Sequence, residues 1–334
     1  RLLIRLAREG FLIYYPDTGE IIIKDKVDHF VKSNEKKKDY DNIYFESVIS
    51  ARPNVKFNLL DGNMDVEGVG RVVLSDSQEV FVFPYDQKLQ LNANRDMTFN
   101  GQLLAGRFHY FGEGFSFNYE NFKVSMDSID SLRLYFPDVE TKKIVRVKSV
   151  LADVSGVVSI DNPRNKSGRV DYSQYPIFEC TKNAKVYYDR RSVFGGVYVR
   201  DRFYFDVDPF TVDSLDNFTK RGVEFNGTLV SGDIFPDIEK PIYLRDDYSL
   251  GFVTYTPAEG FPMYKGKGTG IMEIDLSNKG LKGNGKIDYL ASNTQSSKFL
   301  LFLDSANSIA DSFNIPEPTE IYPAVTGSKV YNHW

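Results

Sequence analysis

From about Tyr44 onward, apolar and polar residues alternate with period two, the mark of strands that turn one face to a core and the other to water. In FSFNYENFKVSM, Phe115, Phe117 and Tyr119 share one face, and Phe122, Val124 and Met126 resume the alternation after one extra residue. That interruption at Glu120-Asn121 predicts a bulge or a tight bend. FYFDVDPFTV repeats the design with Phe203, Phe205 and Val207, two spacers, then Phe210 and Val212. Pro209 falls at the suspected bend, where a missing N–H is tolerated.

A second refrain is more telling. FNGQLLAG (Phe99 to Gly106) returns as FNGTLVSG (Phe225 to Gly232), with Phe, Asn, Gly, Leu and the last Gly unchanged. Glycine two residues after an apolar position also occurs in VEG (Val66 to Gly68), VSG (Val154 to Gly156) and LKG (Leu281 to Gly283). Inside a strand pattern, such a glycine marks a corner, a bulge or a close backbone approach. Gly101 and Gly227 are therefore expected at matching corners, with Phe99 and Phe225 both facing inward. The intervals between these glycines are irregular, unlike those of a strict solenoid, and predict degenerate duplication of a β-meander.

Only the N-terminus departs from this character. Arg1 to Glu9 reads as a short helix stopped by Gly10, and Phe11 to Asp25 as a hairpin turning at Pro16-Asp17-Thr18-Gly19. Asp25 to Lys38 can form a second helix with Val27, Phe30 and Val31 on one face. The predicted fold is mainly β and antiparallel: duplicated meander, sandwich or folded-over sheet units after a short α-helical N-terminal segment. Four segments follow: 1–43, a helix-hairpin-helix; 44–150 and 151–255, two β units; and 256–334, a C-terminal β unit with the irregular tail Asn314 to Pro323.

Composition sharpens the β reading. Of 334 residues, 14% are aromatic, with 26 Phe and 21 Tyr against one Trp. Residues of this bulk suit half-buried pleated surfaces and would fill a lumen rather than line one. The net charge of −5 argues against nucleic acid, which needs a basic face. The one dense basic run, Lys36-Lys37-Lys38, is followed at once by Asp39 and Asp41 and reads as a solvated helix end. No apolar run reaches the ~18 residues of a membrane-spanning helix. The opening Arg1 suggests a processed or excised segment of a longer protein, and the single Cys180 rules out an internal disulfide framework.

Candidate chemistry is sparse. His29, His109 and His333 form no metal-spaced pair, and Cys180 has no predictable base beside it, so it reads as a small buried hydrophobe. Asp206, Asp208, Asp213 and Asp216 crowd one stretch, but Asp206 and Asp208 alternate with Phe205 and Val207 as solvent-facing strand residues do. Calcium is the weaker reading there. YKGKGTG (Tyr264 to Gly270) lacks the phosphate-loop arrangement and precedes a strand pattern rather than a helix. Asn165, Asn217 and Asn226 begin glycosylation sequons, and Tyr residues in DYSQY (Asp171 to Tyr175) could stack on sugars. No catalytic, cofactor-binding or metal residue is assigned, and no cofactor is expected.

Ala93 to Phe122 and Leu244 to Gly268, with the refrain, resemble the large β-repeat envelope proteins of Bacteroidota. The resemblance covers the chain from about Asp39. The apolar-x-Gly corners are similar, more distantly, to the open β-groove repeats of OstA-like and TamB-like lipid-conduit proteins. These resemblances imply an extracytoplasmic, non-enzymatic role in the periplasm or at the cell surface of a Gram-negative bacterium. They transfer no functional residue. The expected partners are other envelope or surface components, with glycan or lipid as ligands, and no nucleic acid. Alternatives are an open groove conducting lipid or lipopolysaccharide, and a carbohydrate-binding or carbohydrate-active β protein.

Overall fold

The computed structural model describes residues 1–24, 26–27, 30–31, 35, 41–49, 52–138 and 140–333. Strands make up 51% and helix 5%, and the sheets are antiparallel as the alternation predicts. The first helix spans Leu2–Arg8, carries an Arg5–Glu9 ion pair of 2.7 Å one turn apart, and ends at Gly10 with φ +76°. The hairpin follows as Leu12–Tyr15 paired to Glu20–Ile23, with Tyr15 opposite Glu20. The second helix expected over 25–38 lies mostly outside the described residues, as do His29 and Lys36 to Lys38.

The rest is built from bent strands. Strand Met97–Ala105 pairs through Met97 and Thr98 with Lys88–Leu91, and from Gly101 onward with Val80–Pro84. Its other neighbour, Phe108–Asn118, shifts register between Gly112 and Phe115, at the same level. Strand Lys123–Pro137 shifts between Met126 and Ile129, meeting Val154–Ser159 with one half and Leu151–Ala152 with the other. Beyond these, Ile177–Cys180 pairs with Thr211–Val212, and Ala184–Tyr187 pairs with Tyr204–Val207.

Because the long strands shift register or change partner at one level, the sheet folds over along that line and its halves face each other as two layers. Tyr110 from one half meets Phe178 from the other, with ring centroids 5.0 Å apart. The hydrogen-bonded path returns on itself because kinked strands share neighbours, and no closed barrel results.

A second sheet begins at Glu224–Phe225 and runs through Ile242–Leu244, Leu250–Tyr255, Gly268–Ser277, Gly280–Tyr289 and Ser292–Leu301. Ladders cross residue 150 without a break, since Leu132 pairs with Leu151. One contiguous core runs from Val66 to Ala306.

The twin phrases occupy matching corners. Burial follows the same order at all eight positions, and both Phe99 and Phe225 are buried. A Cβ on Gly101 would lie 2.4 Å from the Phe83 carbonyl oxygen, and one on Gly227 2.0 Å from that of Asp206. The strand therefore crosses from layer to layer where only glycine lets the neighbouring carbonyl approach. Gly106 and Gly232 close the phrases at φ +54° and +65°.

The other apparent repeat is corrected by the structure. Of the two readings of Glu120-Asn121, the structure has the tight bend and not the bulge: Phe108–Asn118 ends there and Lys123–Pro137 begins, with Asn118 opposite Lys123. Asn118 Oδ1 accepts the Asn121 amide at 2.8 Å and Phe122 takes φ +53°, which tightens a hairpin turn. Asp208-Pro209, by contrast, is a true bend between the layers. The two stretches share a hydrophobic pattern and differ in what the chain does with it.

Candidate functional site

The space between the layers is where a conduit of this architecture would hold its ligand. Phe115, Phe117, Phe122, Phe178, Phe203 and Phe205 all point into it and are inaccessible to solvent. Their rings interlock edge to face, as in Phe117–Phe122 at 6.0 Å, Phe178–Phe210 at 5.9 Å and Phe210–Phe225 at 4.8 Å. Toward the second sheet, Tyr198 stacks on Phe203 at 4.1 Å, and Phe205 reaches Phe252 at 6.5 Å. Aromatic bulk closes the interior.

Three tyrosine hydroxyls sit in that interior, and they differ in what they meet. Tyr198 donates to the Leu301 carbonyl at 2.7 Å and accepts the Leu281 amide at 3.0 Å, tying separate strands together. Tyr188 donates to the Leu250 carbonyl at 3.0 Å. Tyr110 Oη is buried with no hydrogen-bond partner. Burial, reinforced by nearby Cys180, pushes its ionisation far above the usual range, so the phenol stays neutral.

Opposite responses to the same chemical change follow. Tyr198→Phe strands a buried amide and is expected to cost about 1–3 kcal/mol, whereas Tyr110→Phe removes an unsatisfied hydroxyl and should be neutral or stabilising. Thermal unfolding of the two variants checks this; a larger loss for Tyr110→Phe would contradict the assignment.

The residues considered for chemistry are scattered. Cys180 is buried on the inner face, its thiol donates to the Lys182 carbonyl at 3.2 Å, and burial raises its pKa, the reverse of an activated nucleophile. His333 lies on the edge strand Val330–His333, bonded to Asn307. His109 stands on the outer face beside Tyr135.

Asp206 is on the outer face and accepts Asn183 at 3.0 Å, while Asp216 accepts Asn217 at 3.0 Å. Among the described residues, no three His, Cys, Asp or Glu side chains gather as a metal site. In Tyr264 to Gly270, Gly266 lies in the turn of a hairpin, while Gly268 and Gly270 belong to the strand Gly268–Ser277 opposite Met263 and Phe261. Asn165 is buried and bonded to Asp161 at 2.8 Å, which keeps that sequon from modification in the folded state.

Open clefts lie at the margin. One of about 520 Å³ has Asn54, Lys56, Asp65, Glu67 and Lys88 on its walls and Phe99 at its floor. Its acids are engaged: Glu67 meets Arg52 at 2.5 Å and Lys88 at 3.3 Å, and Asp65 accepts Gln90 at 3.1 Å. The hydrogen bond from Lys88 holds the Glu67 carboxyl below its ordinary range.

No helix among the described residues is long and apolar enough to cross a membrane. No protein-family model, curated protein or solved structure matches the chain. The filled interior and the scatter of reactive groups are the features on which a functional reading has to rest.

Proposed function

We propose that this chain is a non-enzymatic structural or binding segment of a larger extracytoplasmic β-repeat protein, serving in the periplasm or at the surface of a Gram-negative cell among other envelope components. The observation that carries the reading is the packed interior. A conduit needs an apolar face that stays open along its length, and here rings from both layers occupy that space. What remains is a filled two-layer core whose outward faces are available to partners.

Native mass spectrometry of the purified chain tests this. The expected result is the bare polypeptide mass of 38.1 kDa. Co-purified lipid or lipopolysaccharide, lost in a folded Phe117→Asp variant, would replace the scaffold reading with a conduit.

A further inference from the structure

On the outer face of the layer carrying Phe108–Gly112, the register brings four cations from three stretches to one place. His109 sits opposite Arg133, and Tyr135 opposite Arg146. Lys148 lies two residues beyond Arg146, and its carbonyl accepts Arg190 Nη1 at 2.6 Å, which brings a fourth cation alongside. None of Arg133, Arg146, Lys148 and Arg190 belongs to an ion pair among the described residues, although the chain as a whole carries −5. The nearby acids have other partners as well, although Asp247 still acts on Lys148 and Asp189 on Arg190. Asp189 pairs with Arg200 at 2.9 Å, Asp153 accepts the Tyr187 hydroxyl at 2.5 Å, and Asp247 accepts Ser249.

Aromatic rings lie among these cations. Arg133 rests over the Phe111 ring at 4.2 Å, and His109 packs against Tyr135 at 4.3 Å. Two strands away, Arg200 lies over Tyr187 at 4.2 Å and Lys185 over Tyr204 at 4.7 Å, with Tyr187 and Tyr204 paired in register. A positive potential is left over. Burial and then the neighbouring Arg133 press His109 down to about 4, so the imidazole is neutral at neutral pH. Burial, then Arg146, likewise lowers Arg190, with Asp189 only partly opposing.

We propose that this face binds an acidic polysaccharide, whose carboxylates meet Arg133, Arg146, Lys148 and Arg190 while its sugar rings lie against Tyr135 and His109. Planar guanidinium forks suit carboxylates, and carbohydrate C–H faces pack on aromatic rings. Nucleic acid would need a longer basic track than this acidic chain offers. A bilayer would need apolar side chains that protrude, whereas these rings are half-buried and several lie beneath cations. The proposal stands on the outer face alone and holds whether or not the interior conducts lipid.

Titration calorimetry with a size-defined polygalacturonate at low salt provides the test. Binding is expected, at least tenfold weaker for the exposed pair Arg146→Gln/Lys148→Gln and for Tyr135→Ala, each with unchanged circular dichroism. Fully methyl-esterified polygalacturonate should not bind. Three results would each overturn the proposal: equal affinity of the double variant, equal affinity for polyglutamate of the same length, or binding only to phosphatidylglycerol vesicles. The first would remove the cations from the site, the second would make the rings irrelevant, and the third would make the surface a membrane contact.

Discussion

Gly227→Ala is expected to destabilise the chain by about 3 kcal/mol or more, while Gly70→Ala leaves stability unchanged. A Cβ on Gly227 would stand 2.0 Å from the Asp206 carbonyl oxygen and 2.7 Å from the Phe205 ring, a distance at which something must move. Neither obstacle is free to do so. The Asp206 carbonyl belongs to a strand held between Ala184–Tyr187 and Gly227–Val230, and Phe205 is packed in the core. Gly70, in strand Val69–Ser75, has nothing within 4 Å of its would-be Cβ and a negative φ. Urea denaturation followed by circular dichroism decides the matter. Equal midpoints for the two variants would mean that the layer crossing does not depend on glycine. Gly101→Ala, 2.4 Å from the Phe83 carbonyl, should behave like Gly227→Ala if the two phrases are the same device.

Phe205→Ala should cost about 3–5 kcal/mol, the range for deleting a fully buried ring. Phe205 pairs with Val186 on one side and Leu229 on the other, and its ring faces Phe252 at 6.5 Å, beyond the break between the two sheets. Its loss therefore weakens the seam that joins the sheets as well as the layer it sits in. Since one core runs from Val66 to Ala306, urea should still produce a single transition at a lower midpoint. A second transition in the variant, with the wild type showing one, would identify this seam as what couples the sheets. A loss below about 1 kcal/mol would contradict the packing described here.

The inner face was readable from sequence wherever alternation runs unbroken. Met97, Phe99, Gly101, Leu103 and Ala105 alternate through the corner without losing step, because glycine lets the strand bend while keeping parity. Parity is lost where a bulge makes the bend. In Lys123–Pro137 the buried positions step from Met126 to Ile129 to Leu132, and period two fails across both intervals. The same ambiguity disguised Glu120-Asn121, since one extra residue fits a bulge or a hairpin turn equally well. Only strand pairing separates them.

The cluster on the outer face was not readable at all. Arg133, Arg146 and Arg190 belong to segments whose adjacency is a matter of register, and surface cations carry no periodic signal. The tyrosine hydroxyls that tie strands together were hidden for a related reason. Tyr198 looks like any other ring in an aromatic-rich chain until its partners on Leu281 and Leu301 are placed.

Pairing in this molecule is mostly between strands that are close in the chain: Met97–Ala105 with Phe108–Asn118, that with Lys123–Pro137, and Gly268–Ser277 with Gly280–Tyr289 and then Ser292–Leu301. Such wiring behaves nearly as a one-dimensional array, in which a unit answers only to its neighbours. A hairpin gained or lost between two units therefore changes the length of the sheet and leaves distant ladders as they were. The corners at Gly101, Gly156 and Gly227 resist change because each has a carbonyl oxygen within 2.4 Å of where a side chain would begin, while Gly283 meets the Met272 side chain instead.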